Sequence, residues 1–200
     1  MWIYDFNKQT NILHSHKMFI GCWIRNTFRI DDNRLIQQAM KLSKKLNKKI
    51  MLFSILETKD EMNSTRRTRF YLESFQDLKL FFKKKIKLFV EDEIFSYGSS
   101  FSNFIQDNLS IIITDDMPTP YYRNQLEWIE KTYKLPIQTI DTFNIIPQYI
   151  APKSKINYAY KFREYRKEIF TKYLTLLNDR ERQDVDFTLF FDISKEKDID

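Results

Sequence analysis

The sequence predicts an α/β fold in which a five-stranded parallel sheet is flanked by helices. Short apolar runs rich in β-branched residues alternate along the chain with longer runs whose apolar residues recur at helical spacing. The run Ser-Ile-Ile-Ile-Thr at 110–114 is continuously apolar, as is typical of a strand at the centre of a parallel sheet. Hydrophobic residues make up 42% of the 200 residues, which is enough to build one substantial core.

The first half of the predicted sheet contains three strands and two helices. The strands cover residues 18–24, 49–56 and 86–90, and the helices cover residues 33–46 and 65–84. In the first helix the apolar side chains fall on one face, namely Leu35, Ile36, Ala39, Met40, Leu42 and Leu46. Asp32 precedes that helix, and an aspartate at this place predicts its N-cap.

The second half adds two strands and two helices. The helices cover residues 99–108 and 121–133, and the strands cover residues 110–114 and 137–140. Because helices separate successive strands, the connections are expected to be right-handed crossovers between parallel strands. Five strands joined in this way predict a Rossmann-like sheet.

The chain divides into four predicted segments: an N-terminal arm or edge strand, the α/β domain, a linker helix rich in basic and aromatic residues, and a charged tail. They cover residues 1–17, 18–150, 151–177 and 178–200. Pro147 and Pro152 mark the connection between the second and third segments.

The tail is acidic, whereas the rest of the chain is basic. Residues 178–200 hold eight acidic and four basic residues, a net charge of −4, so the overall +6 leaves +10 on residues 1–177. A basic body attracts the phosphates of nucleic acid, although lysines at a helix end are favourable in any case. The apolar patch 187–191 is either a late strand or a docking motif in a disordered tail, and the charge density favours disorder.

Composition and missing motifs exclude several classes of protein. No apolar run approaches the ~20 residues that span a bilayer, and the N-terminus lacks the cationic flank of a signal peptide. We therefore expect a soluble intracellular protein, cytoplasmic or nuclear, in which the single Cys22 is a buried, inert thiol. Glycine-rich phosphate loops, a nucleophile elbow and a zinc cluster are missing from the sequence, and His14 and His16 lack a third ligand nearby. No catalytic residue and no metal site is predicted.

Residues 23–33 read Trp-Ile-Arg-Asn-Thr-Phe-Arg-Ile-Asp-Asp-Asn. They resemble the first strand–loop–helix of the photolyase/cryptochrome family, whose pattern is Trp-x-Arg-x-Asp-Leu-Arg-x-x-Asp-Asn. Thr27 stands where the family has an aspartate, and Arg34 replaces a common proline. In open α/β sheets this type of joint, at the carboxyl end of a strand, is where ligands bind.

Three further segments resemble the same family in the same order. Residues 66–75 (Arg-Arg-Thr-Arg-Phe-Tyr-Leu-Glu-Ser-Phe) resemble its second helix, and residues 113–118 (Ile-Thr-Asp-Asp-Met-Pro) resemble its Val-Thr-Asp-x-x-Pro segment. Residues 140–151 resemble the class II pattern Val-Asp-x-His-Asn-Ile-Val-Pro-Cys-Trp-Val-Ala, with Phe143 and Gln148 in place of its His and Cys. The resemblance covers roughly residues 18–165.

The resemblance implies the N-terminal antenna domain of a class II cyclobutane pyrimidine dimer photolyase (deoxyribodipyrimidine photo-lyase), without the FAD-binding domain. Such a truncated or split chain would contribute to light-dependent repair of UV-damaged DNA only together with a separate FAD-domain polypeptide. The family's domain of this type can hold an antenna pterin or deazaflavin, and FAD would come only through the partner. The alternatives are a stand-alone, non-enzymatic α/β protein that binds a nucleotide-like ligand or nucleic acid, and a degenerate remnant.

The resemblance and the predicted strand ends together suggest two sets of site residues. A predicted antenna pocket comprises Arg25, Phe53, Leu56, Arg67 and Asp115. A predicted domain interface comprises Arg29, Asp32, Asn33, Asn144, Pro147 and Tyr158, continued by the aromatic face of the linker helix. Structural roles compete with both sets, because Arg25 and Arg29 are also expected to pair with Asp31 or Asp32, and Asp115 and Asp116 to cap the next turn.

Overall fold

The computed structural model describes residues 3–5, 17–59, 64–92, 99–144, 158–178 and 184–192. In the order of the chain, the strands are β1 (Ile3–Asp5), β2 (Phe19–Trp23), β3 (Lys49–Glu57), β4 (Ile86–Glu91), β5 (Leu109–Asp115) and β6 (Ile137–Ile140). The helices are α1 (Arg34–Leu46), α2 (Thr65–Phe81), α3 (Ser100–Asn108), α4 (Pro120–Tyr133) and α5 (Ala159–Asn178), followed by a 3-10 turn at Phe187–Leu189.

The strands form one sheet in the order β1-β6-β5-β2-β3-β4. The last five of these strands are parallel, so the predicted α/β fold with five parallel strands and flanking helices is confirmed. β1 adds a short antiparallel strand at the edge, where Ile3 pairs with Ile140. The order reverses between β2 and β5, as in a doubly wound sheet.

Two hydrophobic cores cover the two faces of the sheet. On one face α1 and α2 pack through Leu35, Ile36, Phe75 and Leu78 against alternate side chains of the strands. On the other face α3 and α4 pack through Phe101, Phe104, Leu126 and Ile129. The middle strands are therefore apolar on both sides, which explains the unbroken apolar run in β5.

The start of α1 differs from the sequence prediction by one residue, and Asp32 is not its N-cap. Asn33 holds that position, because its Oδ1 accepts hydrogen bonds from the backbone N–H groups of Leu35 (3.1 Å) and Ile36 (3.3 Å). Asp32 instead takes a left-handed backbone conformation with φ 48° and is exposed. The prediction failed because aspartate and asparagine cap helices about equally well, and the two residues are adjacent.

Helix α2 ends three residues earlier than predicted, at Phe81. The backbone of Lys83 and Lys84 is left-handed, with φ 51° and φ 66°. Lys84 N–H donates to Lys79 O (2.8 Å) and Lys83 N–H to Leu80 O (3.1 Å), which is the bond pattern of a Schellman C-cap. Lysines here occupy positions that usually favour glycine or asparagine, so no residue pattern predicts the end of α2 at this place.

The apolar patch of the tail is packed against the sheet in the described residues 184–192. Phe190 is 3% exposed and bridges to Ile50, and Phe191 N–H donates to Ile50 O over 2.8 Å. The ring of Phe190 lies 5.2 Å from that of Phe82. Since β4 pairs with β3 only from Leu52 onward, the tail segment occupies the adjoining stretch at the start of β3. In this segment, the burial of aromatic side chains stabilises the packed structure more than the high charge density favours disorder.

Candidate functional site at the carboxyl edge of the sheet

The loop after β2, the end of β5 and the segment after β6 meet at the carboxyl edge of the sheet. This edge includes the gap between β2 and β5, where the strand order reverses and where open α/β sheets bind their ligands. Side chains of the protein itself fill the gap, and they form a buried hydrogen-bond network.

Asp115, at the end of β5, is fully buried and accepts four hydrogen bonds. Its Oδ2 accepts from the backbone N–H groups of Arg25 (3.1 Å) and Asn26 (3.2 Å). Its Oδ1 accepts from the hydroxyls of Thr27 (2.8 Å) and Thr142 (2.7 Å). The carboxylate thus joins three segments that are far apart in the sequence, and it braces the loop after β2 rather than capping the turn that follows β5.

Arg25 lies between two aromatic rings. Its guanidinium carbon is 4.4 Å from the ring centroid of Trp23 and 4.5 Å from that of Tyr122. It donates to the side-chain oxygen of Gln125 and, over 3.4 Å, to the backbone oxygen of Tyr122. Burial lowers the pKa of Arg25 to about 10, so the side chain stays cationic at neutral pH. It therefore turns toward α4 and away from the exposed Asp31 and Asp32.

Gln125 connects the buried cation to a buried anion. Its side-chain nitrogen donates to both carboxylate oxygens of Glu57, at 2.8 and 3.0 Å. Tyr121 donates its hydroxyl to the same carboxylate over 3.2 Å. With its oxygen toward Arg25 and its nitrogen toward Glu57, the amide of Gln125 is fixed in one orientation. The charges of Arg25 and Glu57 are thus linked through a neutral group.

Sequence reasoning did not identify Gln125 or Glu57 as site residues. A signal for Gln125 was present, because it lies one turn before Ile129 and beside Leu126 on the apolar stripe of α4. A polar side chain on such a stripe needs a buried partner. Glu57 carried a weaker signal as an acidic residue directly after the apolar run of β3.

Arg67, in the first turn of α2, reaches across the carboxyl edge. Its Nη2 donates to the hydroxyl of Tyr122 over 2.9 Å, so Tyr122 contacts Arg67 through its hydroxyl and Arg25 through its ring. The helix start itself is capped by Ser64, whose hydroxyl oxygen accepts from Arg67 N–H. A cation in the first turn opposes the helix dipole, and this contact with α4 offsets that unfavourable position.

A cleft of about 560 Å³ opens beside Glu57, between the end of β3 and the first turns of α2. Its walls combine apolar, hydroxyl and charged side chains, among them Leu56, Glu57, Thr58, Ser64, Thr65, Thr68, Arg69, Leu72, Glu73 and Gln76. The volume suits a small organic ligand. Glu57 belongs both to this cleft and to the buried network.

The five residues predicted for an antenna pocket lie in three different surroundings. Leu56 lines the cleft described above. Phe53 is fully buried in the aromatic core, with ring centroids 5.8 Å from Phe101 and 5.6 Å from Phe104. Arg25, Arg67 and Asp115 belong to the hydrogen-bond network of the carboxyl edge. A chromophore pocket lined by all five stays a prediction.

The residues predicted for a domain interface mostly hold the loops together. Asn33 donates to the backbone oxygens of Thr27 (3.0 Å) and Arg29 (2.9 Å). The exposed Arg29 donates to the backbone oxygen of Thr142 over 3.3 Å, and so fixes the same loop from outside.

Asn144 and Tyr158 lie on the two sides of an interval that contains Pro147. The backbone and side-chain nitrogens of Asn144 donate to Asp141, and its carbonyl accepts from Arg34 over 3.4 Å. Tyr158 precedes α5 and is 59% exposed. Pro147 lies outside the described residues. Asp32 is exposed and has a left-handed backbone conformation.

Comparison with models of known protein families gives no match for this chain, and comparison with curated proteins gives no significantly similar sequence. Among the described residues, no helix combines the length and the apolar character needed to cross a membrane. The same residues contain no group of three or more His, Cys, Asp or Glu side chains arranged to hold a metal ion.

Proposed function

We propose that this chain is an antenna-type α/β domain of the photolyase/cryptochrome family, closest to class II cyclobutane pyrimidine dimer photolyases. In this proposal it contributes to light-dependent repair of UV-damaged DNA only together with a separate FAD-binding polypeptide. The observation that carries the proposal is the meeting of three family-like segments, 23–33, 113–118 and 140–151, at one carboxylate, that of Asp115.

The departures from the family pattern are chemically consistent with this arrangement. Thr27 stands at the position of a family aspartate and donates its hydroxyl to Asp115. An aspartate at this place would put a second carboxylate beside a buried one, which is unfavourable unless one of them holds a proton. The uncharged hydroxyl of Thr27 donates to Asp115 without such repulsion.

The surface for a partner is the exposed aromatic start of the linker helix α5. Tyr158 and Tyr160 are each 59% exposed and Phe162 is 48% exposed, and the rings of the two tyrosines stack at 5.8 Å. Aromatic side chains clustered on a surface favour protein–protein contact. A helical FAD domain would cover this patch.

The proposal includes no chromophore on this chain. Arg25 and Asp115 already use their polar groups within the protein, so they do not fit the role of ligands for an antenna chromophore. An absorbance spectrum of the purified chain tests this point, and we expect no band beyond that of the aromatic side chains.

The test of the proposal is co-expression with a candidate FAD-domain polypeptide, co-purification, and a light-dependent assay of dimer repair. We expect repair by the complex and none by the chain alone. Replacing Tyr158, Tyr160 and Phe162 together by serine should prevent co-purification. The matched control replaces Phe70, Leu80 and Val90 by serine. These side chains are 58% to 76% exposed, and their replacement should leave co-purification intact. Repair by the isolated chain, or a complex with bound FAD that repairs nothing, would contradict the proposal.

The cleft beside Glu57 favours a second candidate, a non-enzymatic protein that binds a nucleotide-like ligand. Thermal denaturation with and without nucleosides and nucleotides tests it, since a ligand that binds only the folded state raises the unfolding temperature. A rise that is abolished by Thr68→Trp, which would fill the cleft, supports this candidate. A rise that persists in this variant, or no rise with any of these compounds, counts against it.

A further inference from the structure

The amino edge of the sheet, opposite to the candidate site, carries a dense group of exposed lysines. Six of them are here called the lysine surface: Lys44, Lys45, Lys49, Lys79, Lys83 and Lys84. They lie in the last turns of α1 and α2, at the start of β3 and in the turn before β4. Because α1 and α2 pack on the same face of the sheet, their carboxyl ends are neighbours.

Two of these lysines, Lys49 and Lys83, contact the tail segment. Lys49 Nζ donates to the backbone oxygen of Thr188 over 2.6 Å, and Lys83 Nζ lies 5.4 Å from the ring centroid of Phe187. Lys85 donates to the backbone oxygen of Phe187 over 3.1 Å. Lysines of β3 and of the α2–β4 turn thus lie around the same 3-10 turn, and the charge of Lys44 in α1 acts on Asp186 at the start of that turn.

Within the described part of the chain, none of the six lysines forms an ion pair with a side-chain carboxylate. Asp186 is the acidic group that they influence most clearly. The pKa of its carboxyl is lowered, chiefly by hydrogen bonds from Thr188 and further by the charges of Lys44 and Lys49. The described tail segment carries three carboxylates, those of Asp184, Asp186 and Asp192, so the six lysines still outnumber them.

The helix dipole accounts for part of this arrangement but not for all of it. Lysines in the last turns of α1 and α2 interact favourably with the helix ends. Lys83 and Lys84 lie beyond the helix, in left-handed conformations that glycine or asparagine would adopt at lower cost. The sequence therefore keeps charge at two positions where local structure favours other residues.

We propose that the lysine surface binds the phosphate backbone of nucleic acid, without reading its sequence. Lysine is a flexible point charge that neutralises phosphates, whereas base recognition relies on groups such as the planar guanidinium of arginine, which this surface lacks. The proposal goes beyond the proposed function and does not depend on it, because this edge of the sheet lies opposite to the candidate site.

A membrane surface fits the same charges less well. Stable attachment to a bilayer needs an apolar face that can enter it. The apolar stripes of α1 and α2 are already covered by the sheet, through residues such as Ile36 and Leu78. Leu80 and Met18 are exposed at this edge, but two isolated apolar side chains are a weak anchor.

The experiment measures binding of the whole chain to a fluorescent single-stranded oligonucleotide by anisotropy, at several salt concentrations. If all six lysines contact phosphates, log K plotted against log salt should have a slope of about −4. The test variant replaces Lys44, Lys45, Lys79 and Lys84 by glutamine. We expect it to bind at least about tenfold more weakly at low salt, with a slope of about −1 to −2.

The control variant replaces four exposed lysines elsewhere, Lys131, Lys134, Lys161 and Lys167, by glutamine and changes the net charge equally. Each set contains one lysine with a left-handed backbone, Lys84 or Lys134, so the two variants are also matched in local strain. Affinity within about threefold of the unmodified chain is expected for the control. Equal losses in both variants would mean attraction by net charge alone and would overturn the proposal.

Two further measurements do not depend on how well the variants fold. Chemical acetylation of the unmodified chain, read by mass spectrometry, should show Lys44, Lys45 and Lys84 protected by the oligonucleotide and Lys131 unprotected. Sedimentation with vesicles of anionic lipid should show weaker binding than to nucleic acid at the same salt concentration. Uniform acetylation, or binding to vesicles but not to the oligonucleotide, would overturn the proposal.

Discussion

Two buried charges at the carboxyl edge are stabilised in different ways. Among the described residues, no cationic side chain lies within hydrogen-bond distance of Asp115, which is held by two backbone N–H groups and two hydroxyls. Arg25 is held by two ring faces and the amide of Gln125. A charge without such partners would cost several kcal/mol at these burial levels. Both side chains therefore stabilise the loop after β2.

The neutral amide at position 125 is the feature of this network that can be tested most directly. In the variant Gln125→Glu, a second carboxylate would replace a nitrogen that lies 2.8 to 3.0 Å from the oxygens of Glu57. Two carboxylates at that distance raise the pKa of one of them. Since this pKa is higher in the folded state than in the unfolded state, the variant is stable at low pH and loses stability as the pH rises.

We expect the unfolding free energy of Gln125→Glu, measured by urea denaturation, to fall relative to the unmodified protein between about pH 5 and about pH 8, by up to about 1.4 kcal/mol per pH unit. Gln125→Met is the control. It removes the same hydrogen bonds without adding a charge. Its loss of unfolding free energy, relative to the unmodified protein, should therefore be the same at both pH values. Parallel pH profiles for the two variants would show that Glu57 and residue 125 do not interact in this way.

At the scale of elements, the tail segment 184–192 behaves as part of the core of the α1–α2 face. Phe190 fills the place next to Ile50 that β4 leaves open, and Phe187 packs on Phe81 and Phe82. Since this segment follows α5 and residues 179–183, its docking links the end of the chain to the first half of the sheet.

Phe190→Ala should lower the unfolding free energy by about 3–5 kcal/mol, because a buried phenylalanine is lost and a cavity remains. The control is Phe143→Ala, at a side chain that is 49% exposed, for which we expect a loss below about 1 kcal/mol. Urea denaturation measures both. Equal and small losses would mean that the segment does not pack on the sheet in solution.

The elements were largely predictable from the sequence because each strand and helix has a clear local period. β5 and α1 illustrate this, with an unbroken apolar run and a one-sided apolar stripe. Helix ends were less predictable, since Asp32 and Asn33 are equivalent as caps in a sequence and Lys83 is an unusual residue for a helix stop.

The candidate site was predictable only in part, because it depends on the order of strands. Asp115 and Arg25 were identified from strand ends in the sequence. The link from Arg25 to Glu57 through Gln125 requires β3 to lie beside β2, with α4 reaching over their ends. No local pattern contains that information, since the residues are up to 100 positions apart.

At the scale of the whole molecule, β2 lies inside the sheet, between β5 and β3, and is covered on both faces. Cys22 lies in this strand, is fully buried and is the only cysteine in the chain. Burial raises the pKa of its thiol well above the usual range, and the nearby Asp115 raises it further. Because the reactive form is the thiolate, the folded protein should be inert to thiol reagents.

Exposure of Cys22 requires β2 to separate from both neighbouring strands, which amounts to unfolding of the sheet. We therefore expect the rate of its reaction with a chromogenic disulfide reagent to rise with urea as steeply as global unfolding does. The comparison is a Cys22→Ala, Lys131→Cys variant, whose thiol on the exposed face of α4 should react at once and independently of urea. Rapid labelling of native Cys22, or labelling with a shallow urea dependence, would mean that β2 opens locally and that the sheet is not one cooperative unit.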